Sequence, residues 1–422
     1  MTGFLRLLPP DEARSLLLSN IAAPLSDSEL VDTSQALHRV SAEDVIAPHA
    51  LPEFARSTVD GYALRARDTF GASASLPAYL RLVGEVGMGS APRFVVEAGQ
   101  CALIHTGGML PAGVDAVAML ENTQGSLPHR DSSSGQEEVE ILKPAAPGEN
   151  TISIGEDVRA GQKVIPRGAR LRAQELGGLM ALGMTSLRVT RRPRVALISS
   201  GDEIVDPCTQ PLPGQVRDVN ASVLSALVLA HGGDAVFLGT VPDEAGRAEA
   251  LAKQALPACD MVLITAGSSA STRDLTAEAI ASLGAPGVLV HGVNIRPGKP
   301  TILGVCEGKA VIGLPGNPVS ALVVARLFVV PAMERLLGLP EDGPRAAITA
   351  RLNVNLASQT GREDWWPVRL VEAPSSPREW LADPVFGRSN LIFSLVAAHG
   401  LIRITADKNG LSAGELVEVE LF

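Results

Sequence analysis

Four polar motifs rich in small residues follow apolar segments in the second half of the chain. They are residues 199–203, 266–274, 296–300 and 314–318. Small residues allow backbone N–H groups to approach a phosphate or a flat ring, and Arg296 and Lys299 supply cationic donors for an anion. Glu203, Asp243 and Asp274 are carboxylates that could hold Mg²⁺ together with substrate phosphates. These residue types predict a site for a phosphorylated or otherwise anionic ligand.

The elements that must position these motifs alternate between strands and helices from residue 193 onward. The predicted strands are residues 195–198, 235–238, 261–265, 288–291, 301–305 and 310–313, and the predicted helices are residues 221–230, 244–255, 274–283 and 318–337. Apolar strands alternating with helices indicate a mostly parallel sheet covered on both faces. Ligands of such sheets bind beyond the carboxyl ends of the strands, so we expect all four motifs at one edge. Asn317 should cap the last helix, with Pro318 in its first turn.

The rest of the chain has a different pattern. Residues 11–23 have helical spacing, and residues 43–145 contain short β-like segments, including 94–96, that are interrupted by Gly and Pro. The stretch 124–136 is polar and predicts a loop. Residues 150–190, with a helix at 173–182, are expected to return to the N-terminal helix. Residues 340–422 are again β-like and indicate a small barrel or sandwich.

Composition limits the classes of function. The 422 residues carry a formal net charge of −10, which argues against nucleic acid as a partner because binding phosphate backbones requires excess Lys and Arg. The four cysteines are widely spaced and include no CxxC pair, so no zinc or dithiol site is predicted. No apolar segment reaches the length of about 18 residues that a membrane span needs. We expect a cytoplasmic protein that does not interact with membranes.

Several motifs together resemble the molybdopterin molybdenumtransferase family, which includes the gephyrin E-domain. The matching segments are residues 52–63, 104–111, 115–117 with Glu121, 155–157, 200–203, 296–300, 313–318 and 387–392. They occur in the family's order and extend over almost the whole chain, which makes the resemblance specific.

The resemblance implies a multidomain α/β and all-β protein. The expected parts are a split N-terminal linker domain (1–48 and 147–190), a β-rich insertion domain (49–146), an α/β molybdopterin-binding domain (191–339) and a C-terminal β domain (340–422), which is a barrel or sandwich. It also implies a homodimer, with the active cleft between the α/β domain of one subunit and the β-rich insertion of the other. Transient contact with the molybdopterin adenylyltransferase is a further expectation.

The implied substrate is adenylylated molybdopterin, a pterin dithiolene joined to AMP through a pyrophosphate bond. In the family, molybdate and Mg²⁺ enter, the pyrophosphate is cleaved, and AMP and molybdenum cofactor leave. The family's catalytic residues match Asp60, Thr106, Asp157, Glu203, Asp243 and Asp274. We expect Glu203 and Asp274, and after them Asp243, to hold the metal ion. Asp60 and Thr106 should position phosphate or water from the other subunit.

The remaining site residues fall into two groups. Residues expected to bind the pterin substrate are Gly201, Asp202, Gly267, Ser269, Arg296, Pro297, Gly298, Lys299, Pro315, Gly316, Asn317 and Pro318. Lys299, Arg362 and Ser389 resemble the family's molybdate pocket, which combines cations with a hydroxyl donor.

The chain departs from the family pattern at several positions. Ala266 and Ser271 stand where glycine is common, and a positive φ at Ser271 would be strained. Arg296 stands where lysine is common, and Pro367 where a second arginine often follows Arg362. His399 replaces a common Asp or Asn, and residues 150–154 lack the usual arginines. These departures leave open which oxyanion is preferred and how active the protein is, but they do not change the expected fold.

Three alternative functions remain open. A catalytically weak scaffold could bind the pterin without inserting metal, although the intact set of carboxylates disfavours it. The sister reaction, adenylylation of molybdopterin, would need only a lone α/β domain, whereas this chain carries the whole framework. A tungstate-inserting paralogue is a variant of the main interpretation, since tungstate and molybdate are nearly identical in charge and size.

Overall fold

The computed structural model describes residues 7–22, 24–125, 137–266, 270–341, 343, 345–373 and 378–422, with residues 270–274 described by their backbone only. Contacts divide the chain into two compact units. The first comprises residues 1–43, 167–176 and 186–422, and the second comprises residues 44–166 and 177–185. The four-domain division stays a prediction.

The α-helices are α1 Pro10–Asn20, α2 Ala173–Ala181, α3 Val219–Ala230, α4 Arg247–Ala255, α5 Ala270–Ser282, α6 Pro318–Val324, α7 Val330–Leu337 and α8 Phe393–Val396. None of the described helices is long and apolar enough to cross a membrane. Helix α5 begins four residues earlier than predicted, so the expectation that Asp274 opens this helix is wrong. Ser271 lies in its first turn, and the strain of a positive φ does not arise there.

The first unit is built on a six-stranded sheet. Its strands are β13 Arg194–Ser200, β16 Asp234–Val241, β17 Met261–Ala266, β18 Pro286–His291, β20 Ile302–Cys306 and β21 Lys309–Pro315. The order is β16-β13-β17-β21-β20-β18. The first four strands in this order are parallel, and β20 and β18 continue the sheet antiparallel. The prediction of a mostly parallel sheet is confirmed.

Apolar side chains cover both faces of this sheet, as its continuous apolar strands predict. One core joins the sheet to α1, α3, α6 and α7 through buried residues such as Leu17, Leu224 and Phe328. The other joins it to α4 and α5 through residues such as Ala252 and Ile280. Because both faces are closed, the polar edges of the sheet are where ligands can bind.

The helix predicted over residues 318–337 is interrupted by one π-helical turn, Ala325–Val329. The N–H of Val330 donates to the carbonyl of Ala325, which is an i to i−5 bond. The next residue is Pro331, which has no N–H to donate. The wider turn lets the chain continue as α7 without a break.

The C-terminal part of the first unit is a five-stranded barrel. Its strands are β22 Ala347–Leu352, β24 Glu363–Glu372, β25 Trp380–Pro384, β26 Gly400–Ile404 and β28 Leu416–Leu421. The order β24-β25-β22-β28-β26 closes because β26 also pairs with β24. The short strands β23 Leu356–Ala357 and β27 Gly410–Leu411 pair separately. Of the two predicted architectures, the structure has the barrel.

Short pairings complete the first unit. Strand β1 Ser28–Asp32 pairs antiparallel with β12 Ser186–Thr190, so the segment after residue 185 returns to the N-terminal part of the chain. Strand β19 Ile295–Arg296 pairs with the start of β24, and β14 Ile204–Val205 pairs with β15 Val216–Arg217. These pairings connect segments that are far apart in sequence.

The second unit is centred on another six-stranded sheet. Its strands are β4 Gly61–Leu64, β5 Ala78–Val86, β6 Gln100–Ile104, β7 Ala116–Met119, β8 Thr123–Gly125 and β9 Glu138–Ile141, in the order β7-β4-β6-β5-β9-β8. Short ladders join β2 Val45–Ile46 to β11 Lys163–Ile165 and β3 Arg56–Ser57 to β10 Thr151–Ile152. The predicted strand at 94–96 is wrong, since only Val95 forms an isolated bridge. Most of the loop predicted at 124–136 lies outside the described residues.

Candidate functional site

The carboxyl ends of three parallel strands place three of the polar motifs at one edge of the α/β sheet. Strand β13 ends at Ser200, β17 at Ala266 and β21 at Pro315. The fourth motif reaches the same place, because Pro300 lines a small cavity together with Ala266 and Pro315. The predicted assembly of the motifs is therefore what the structure shows, although Gly267 and Ser269 lie outside the described residues.

Hydrogen bonds connect the loops after β13 and β16. The Ser200 hydroxyl donates to Oδ1 of Asp243 at 2.7 Å, and the Asp243 N–H donates to Oδ1 of Asp202 at 3.2 Å. A Cβ at Gly201 would lie 2.7 Å from Cγ1 of Ile204 and 2.9 Å from Oε2 of Glu203, so both side chains would have to shift to accommodate it. The two loops thus hold three acidic residues at the edge of the sheet.

These oxygen donors suit a hard divalent cation. Mg²⁺ keeps several water ligands and needs only one or two carboxylates besides substrate phosphates, so Glu203 and Asp243 fit the requirement. Among the residues whose side chains are described, no group of three or more His, Cys, Asp or Glu is placed to hold a metal ion alone. Asp274 lies in the second turn of α5, and its side chain is outside the description.

Two further polar residues, which the sequence analysis missed, lie at the start of α3. Asp218 caps the helix by accepting a 3.0 Å hydrogen bond from the Ala221 N–H. The Asn220 amide donates to the carbonyl of Gly316 at 2.7 Å, which connects α3 to the loop after β21. The sequence signal for Asp218 was an N-cap residue before the apolar helix, but nothing local indicated the contact of Asn220.

The loop of residues 314–318 ends as predicted. Asn317 is the N-cap residue of α6, and Pro318 occupies its first turn. The Asn317 side chain makes no capping hydrogen bond, so its polar atoms are not committed to the helix. The N–H of Val319 instead donates to the carbonyl of Ser389 at 3.1 Å, which fixes a barrel loop against the start of α6.

A cavity of about 570 Å³ brings the three predicted oxyanion residues together. Lys299, Arg362 and Ser389 all line it, and Arg296 and Arg388 add two more cations. Gly298 has a φ of +115°, and a Cβ there would lie 2.5 Å from Val324 Cγ2. Glycine therefore lets the Lys299 loop pack directly on α6. A concave site with several cations and a hydroxyl can bind a tetrahedral anion.

Asp364 is a fully buried carboxylate beside this cavity that the sequence analysis did not identify. Arg362 donates to it from Nε at 2.8 Å and from Nη2 at 3.2 Å, and Nη1 of Arg296 lies 3.7 Å from it. The Arg296 guanidinium also lies 5.8 Å from the centre of the Trp366 ring. The available signal was the separation of two residues between Arg362 and Asp364, with Arg362 immediately before β24.

In the second unit, Asp60 and Thr106 are joined by hydrogen bonds. Oδ1 of Asp60 accepts hydrogen bonds from the Thr106 N–H at 2.7 Å and from the Thr106 hydroxyl at 3.1 Å. The backbone hydrogen bond, followed by that of the hydroxyl, lowers the pKa of Asp60 below its usual value. His105 lies beside them, with Nε2 3.0 Å from Oε1 of Glu85. Asp60 is thus an exposed, ionised acceptor.

Asp157 lies on another loop of the second unit and is exposed. Its N–H donates to the carbonyl of Leu51 at 3.1 Å, and the N–H of Gly155 donates to the carbonyl of Pro52 at 3.1 Å. The motif at 155–157 is therefore held against the start of the motif at 52–63. The second unit carries Asp60, Thr106 and Asp157, and the other catalytic candidates belong to the first unit.

Comparisons with known proteins agree over nearly the whole chain. Residues 8–183 match the family model for the MoeA N-terminal region (domain I and II), residues 196–335 match a probable molybdopterin binding domain, and residues 349–422 match the MoeA C-terminal region (domain IV). A molybdopterin molybdenumtransferase of Nostoc is 34% identical over 82% of this chain and 78% of its own length. The protein of that name from Haemophilus influenzae is 30% identical over 99% of both chains. The crystal structure of a molybdopterin biosynthesis moeA protein from Pyrococcus horikoshii has a TM-score of 0.85 and 30% identity, covering 99% of this chain and 100% of its own.

Proposed function

The chain belongs to the MoeA family of molybdopterin molybdenumtransferases, and from this premise we propose that it inserts molybdate into adenylylated molybdopterin with the help of Mg²⁺. The products are AMP and molybdenum cofactor. The family places the chain among the transferases of molybdenum cofactor biosynthesis. The identity of its substrate, its oxyanion and its metal ion is our inference.

The observation that carries the proposal is the position of the cationic cavity next to the carboxyl edge of the sheet. Pro300 and Pro315 belong to both regions, and the cavity contains Lys299, Arg362 and Ser389. One extended substrate can therefore place its phosphates at the acidic loops and its dithiolene near a bound oxyanion. A site for phosphate chemistry alone would not need this second cationic cavity.

Each group of residues has a distinct chemical task in this proposal. The loops at 201–202 and 315–318 bind the substrate through backbone groups and small side chains, as do residues 296–299 and the motif around 267–269. Glu203, Asp243 and Asp274 would hold Mg²⁺, which supplies neutralisation of phosphate charge and in-line alignment when bound. Lys299 and Arg362 bind the oxyanion by charge-assisted hydrogen bonds, and the Ser389 hydroxyl adds a neutral donor.

Asp60 and Thr106 are proposed to position a phosphate or the attacking water, with Asp157 as a further acid. Hydrogen bonds from Thr106 keep Asp60 ionised, which suits an acceptor for the protons of water. We propose that these residues complete the site of a partner subunit in a homodimer. Adenylylated molybdopterin must come from an adenylylation reaction, and transient contact with the adenylyltransferase would protect this labile substrate.

The proposed reaction is tested by AMP release from purified protein supplied with adenylylated molybdopterin. We expect release to require both Mg²⁺ and molybdate, and Asp274→Asn to lower the rate by about 10²-fold while substrate binding persists. The matched control is Glu278→Gln, which changes an exposed acid one turn later on α5. Rapid release in excess chelator, or by Asp274→Asn, would contradict the role of metal and carboxylate. Faster turnover with tungstate would identify the chain as a tungstate-inserting enzyme.

The shared site is tested by subunit complementation. Asp60→Ala and Asp274→Ala chains should each be inactive alone, and a mixture should regain part of the activity because one of the two hybrid clefts is intact. The control mixes Asp60→Ala with wild-type chains under the same conditions. Mixed dimers that regain nothing would show that the two residues act within one subunit or not at all.

A further inference from the structure

Asp364 is a buried negative charge next to a cavity that we propose binds an anion. It is 0% exposed and lies beside the cavity proposed to bind a dianion, where a negative charge opposes the ligand. Burying a carboxylate is costly unless it is paired and hydrogen-bonded. The contacts of Asp364 with two arginines offset this cost, and they also constrain the positions of those arginines.

The contacts of Asp364 fix the plane of the Arg362 guanidinium. The bonds from Nε and Nη2, at 2.8 and 3.2 Å, form a bidentate pair, which restrains the side chain more than a single ion pair does. Two of the five N–H groups of Arg362 are used in this way. Asp364 does not engage the other three, which can donate to an oxyanion from positions that are set before the ligand arrives.

The same carboxylate also faces Arg296. The β19 and β24 strands place Arg296 and Asp364 directly opposite each other, and Nη1 of Arg296 lies 3.7 Å from Oδ2 of Asp364. The Arg296 guanidinium also lies over the Trp366 ring, 5.8 Å from its centre. The backbone supports the arrangement, since the Glu363 N–H donates to the carbonyl of Asn294 at 3.1 Å.

We propose that Asp364 is a positioning residue that keeps the Arg362 guanidinium in one orientation beside Arg296 and thereby selects molybdate over the smaller dianion sulfate. The inference rests on the proposed oxyanion site. Sulfate and molybdate have the same charge and tetrahedral shape, so charge alone cannot separate them. Cations held at a fixed spacing contact the larger anion fully and the smaller anion incompletely. Cations that can move would close around either one.

The test compares the binding of molybdate and of sulfate to the full-length protein by calorimetric titration of each anion. For wild type we expect a clear preference for molybdate. Asp364→Asn keeps the size of the side chain but removes the charge and one acceptor, so Arg362 can rotate. We expect the ratio of the sulfate to the molybdate dissociation constants to fall about tenfold, mainly because sulfate binds more tightly.

A purely structural role for Asp364 predicts a different result. Partial unfolding lowers the fraction of binding sites in the titration but leaves the ratio of the two dissociation constants unchanged. Asp364→Glu, which keeps the charge, should fold and retain more of the preference than Asp364→Asn. The matched control is Asp260→Asn, because Asp260 is another buried aspartate with a bidentate arginine, Arg191, and does not line the cavity.

The outcomes separate this inference from the proposed function. An unchanged ratio in Asp364→Asn would overturn the positioning role, and so would an equal fall in the control. If Asp364→Asn does not fold, Arg362→Lys takes its place, because lysine keeps the positive charge but cannot form the bidentate pair with Asp364, and an unchanged ratio in that variant would overturn the positioning role. Wild type that binds neither anion would instead remove the oxyanion site, and with it both proposals.

Discussion

The Ser200 hydroxyl and Oδ1 of Asp243 are joined by a 2.7 Å hydrogen bond between the end of β13 and the loop after β16. The bond engages Oδ1 of Asp243 and does not involve Oδ2. It also fixes the direction of a carboxylate that would otherwise rotate on a half-buried loop.

Removing this hydroxyl should reduce activity without disturbing the fold. We expect Ser200→Ala to lower the rate of AMP release about tenfold or more, because a hydrogen bond to a charged group contributes about 1.5–3 kcal/mol. Ser200→Thr retains the hydroxyl and is the control. If Ser200→Ala has the wild-type rate at saturating Mg²⁺ and substrate, the orientation of Asp243 does not limit the reaction.

The cavity lined by Lys299, Arg362 and Ser389 predicts that one substitution can weaken molybdate binding without weakening the binding of adenylylated molybdopterin. Arg362→Ala should raise the molybdate concentration needed for half-maximal turnover about tenfold or more, since a charge-assisted contact is lost. Binding of adenylylated molybdopterin should remain nearly unchanged in a separate titration. The control is Arg351→Ala, an exposed barrel arginine paired with Glu379. Equal loss of both affinities would assign Arg362 to pterin binding or to structure.

The hydrogen bonds to Asp60 predict a shift in the pH dependence of activity. They lower the pKa of Asp60, so wild type should retain ionised Asp60 at pH values where an ordinary aspartate begins to be protonated. Thr106→Val removes the hydroxyl bond but keeps the backbone bond. The acid limb of kcat/KM should therefore move to higher pH, whereas Thr106→Ser should resemble wild type. An unmoved acid limb in Thr106→Val would show that Asp60 does not control it.

Stability should depend on pH through Asp260. Burial alone would raise the pKa of Asp260, but hydrogen bonds from Arg191 at 2.7 Å and from the Arg194 N–H at 2.8 Å lower it overall. Because the folded-state pKa lies below the unfolded value of about 3.9, the contribution is present above that pH and is lost as the pH falls through the folded-state pKa.

Urea unfolding between pH 7 and pH 3 measures this contribution. We expect Asp260→Asn to lower the free energy of unfolding at pH 7 by on the order of 2 kcal/mol, and the difference from wild type to shrink at low pH. A difference that stays constant from pH 7 to pH 3 would assign the effect to packing and not to the ion pair.

The sequence by itself determined much of the architecture and of the candidate site. Continuous apolar strands alternating with helices can be satisfied only by a sheet covered on both faces, and the motifs after β13, β17 and β21 then meet at one edge. Asn317 and Pro318 mark the start of α6 through local backbone preferences alone. These features follow from short-range rules that any stretch of sequence carries with it.

Contacts between distant segments could not be predicted from the sequence and are known only from the folded structure. The closure of the barrel depends on β26 pairing with β24, and the bond of Asn220 to Gly316 spans 96 positions. The start of α5 at Ala270 and the π-helical turn at Ala325–Val329 depend on how each helix packs against its sheet, which local propensity does not encode. Asp364 shows the reason most directly: its proximity to Arg362 follows from their closeness in sequence, but its burial and its second partner, Arg296, arise only when β19 is placed beside β24.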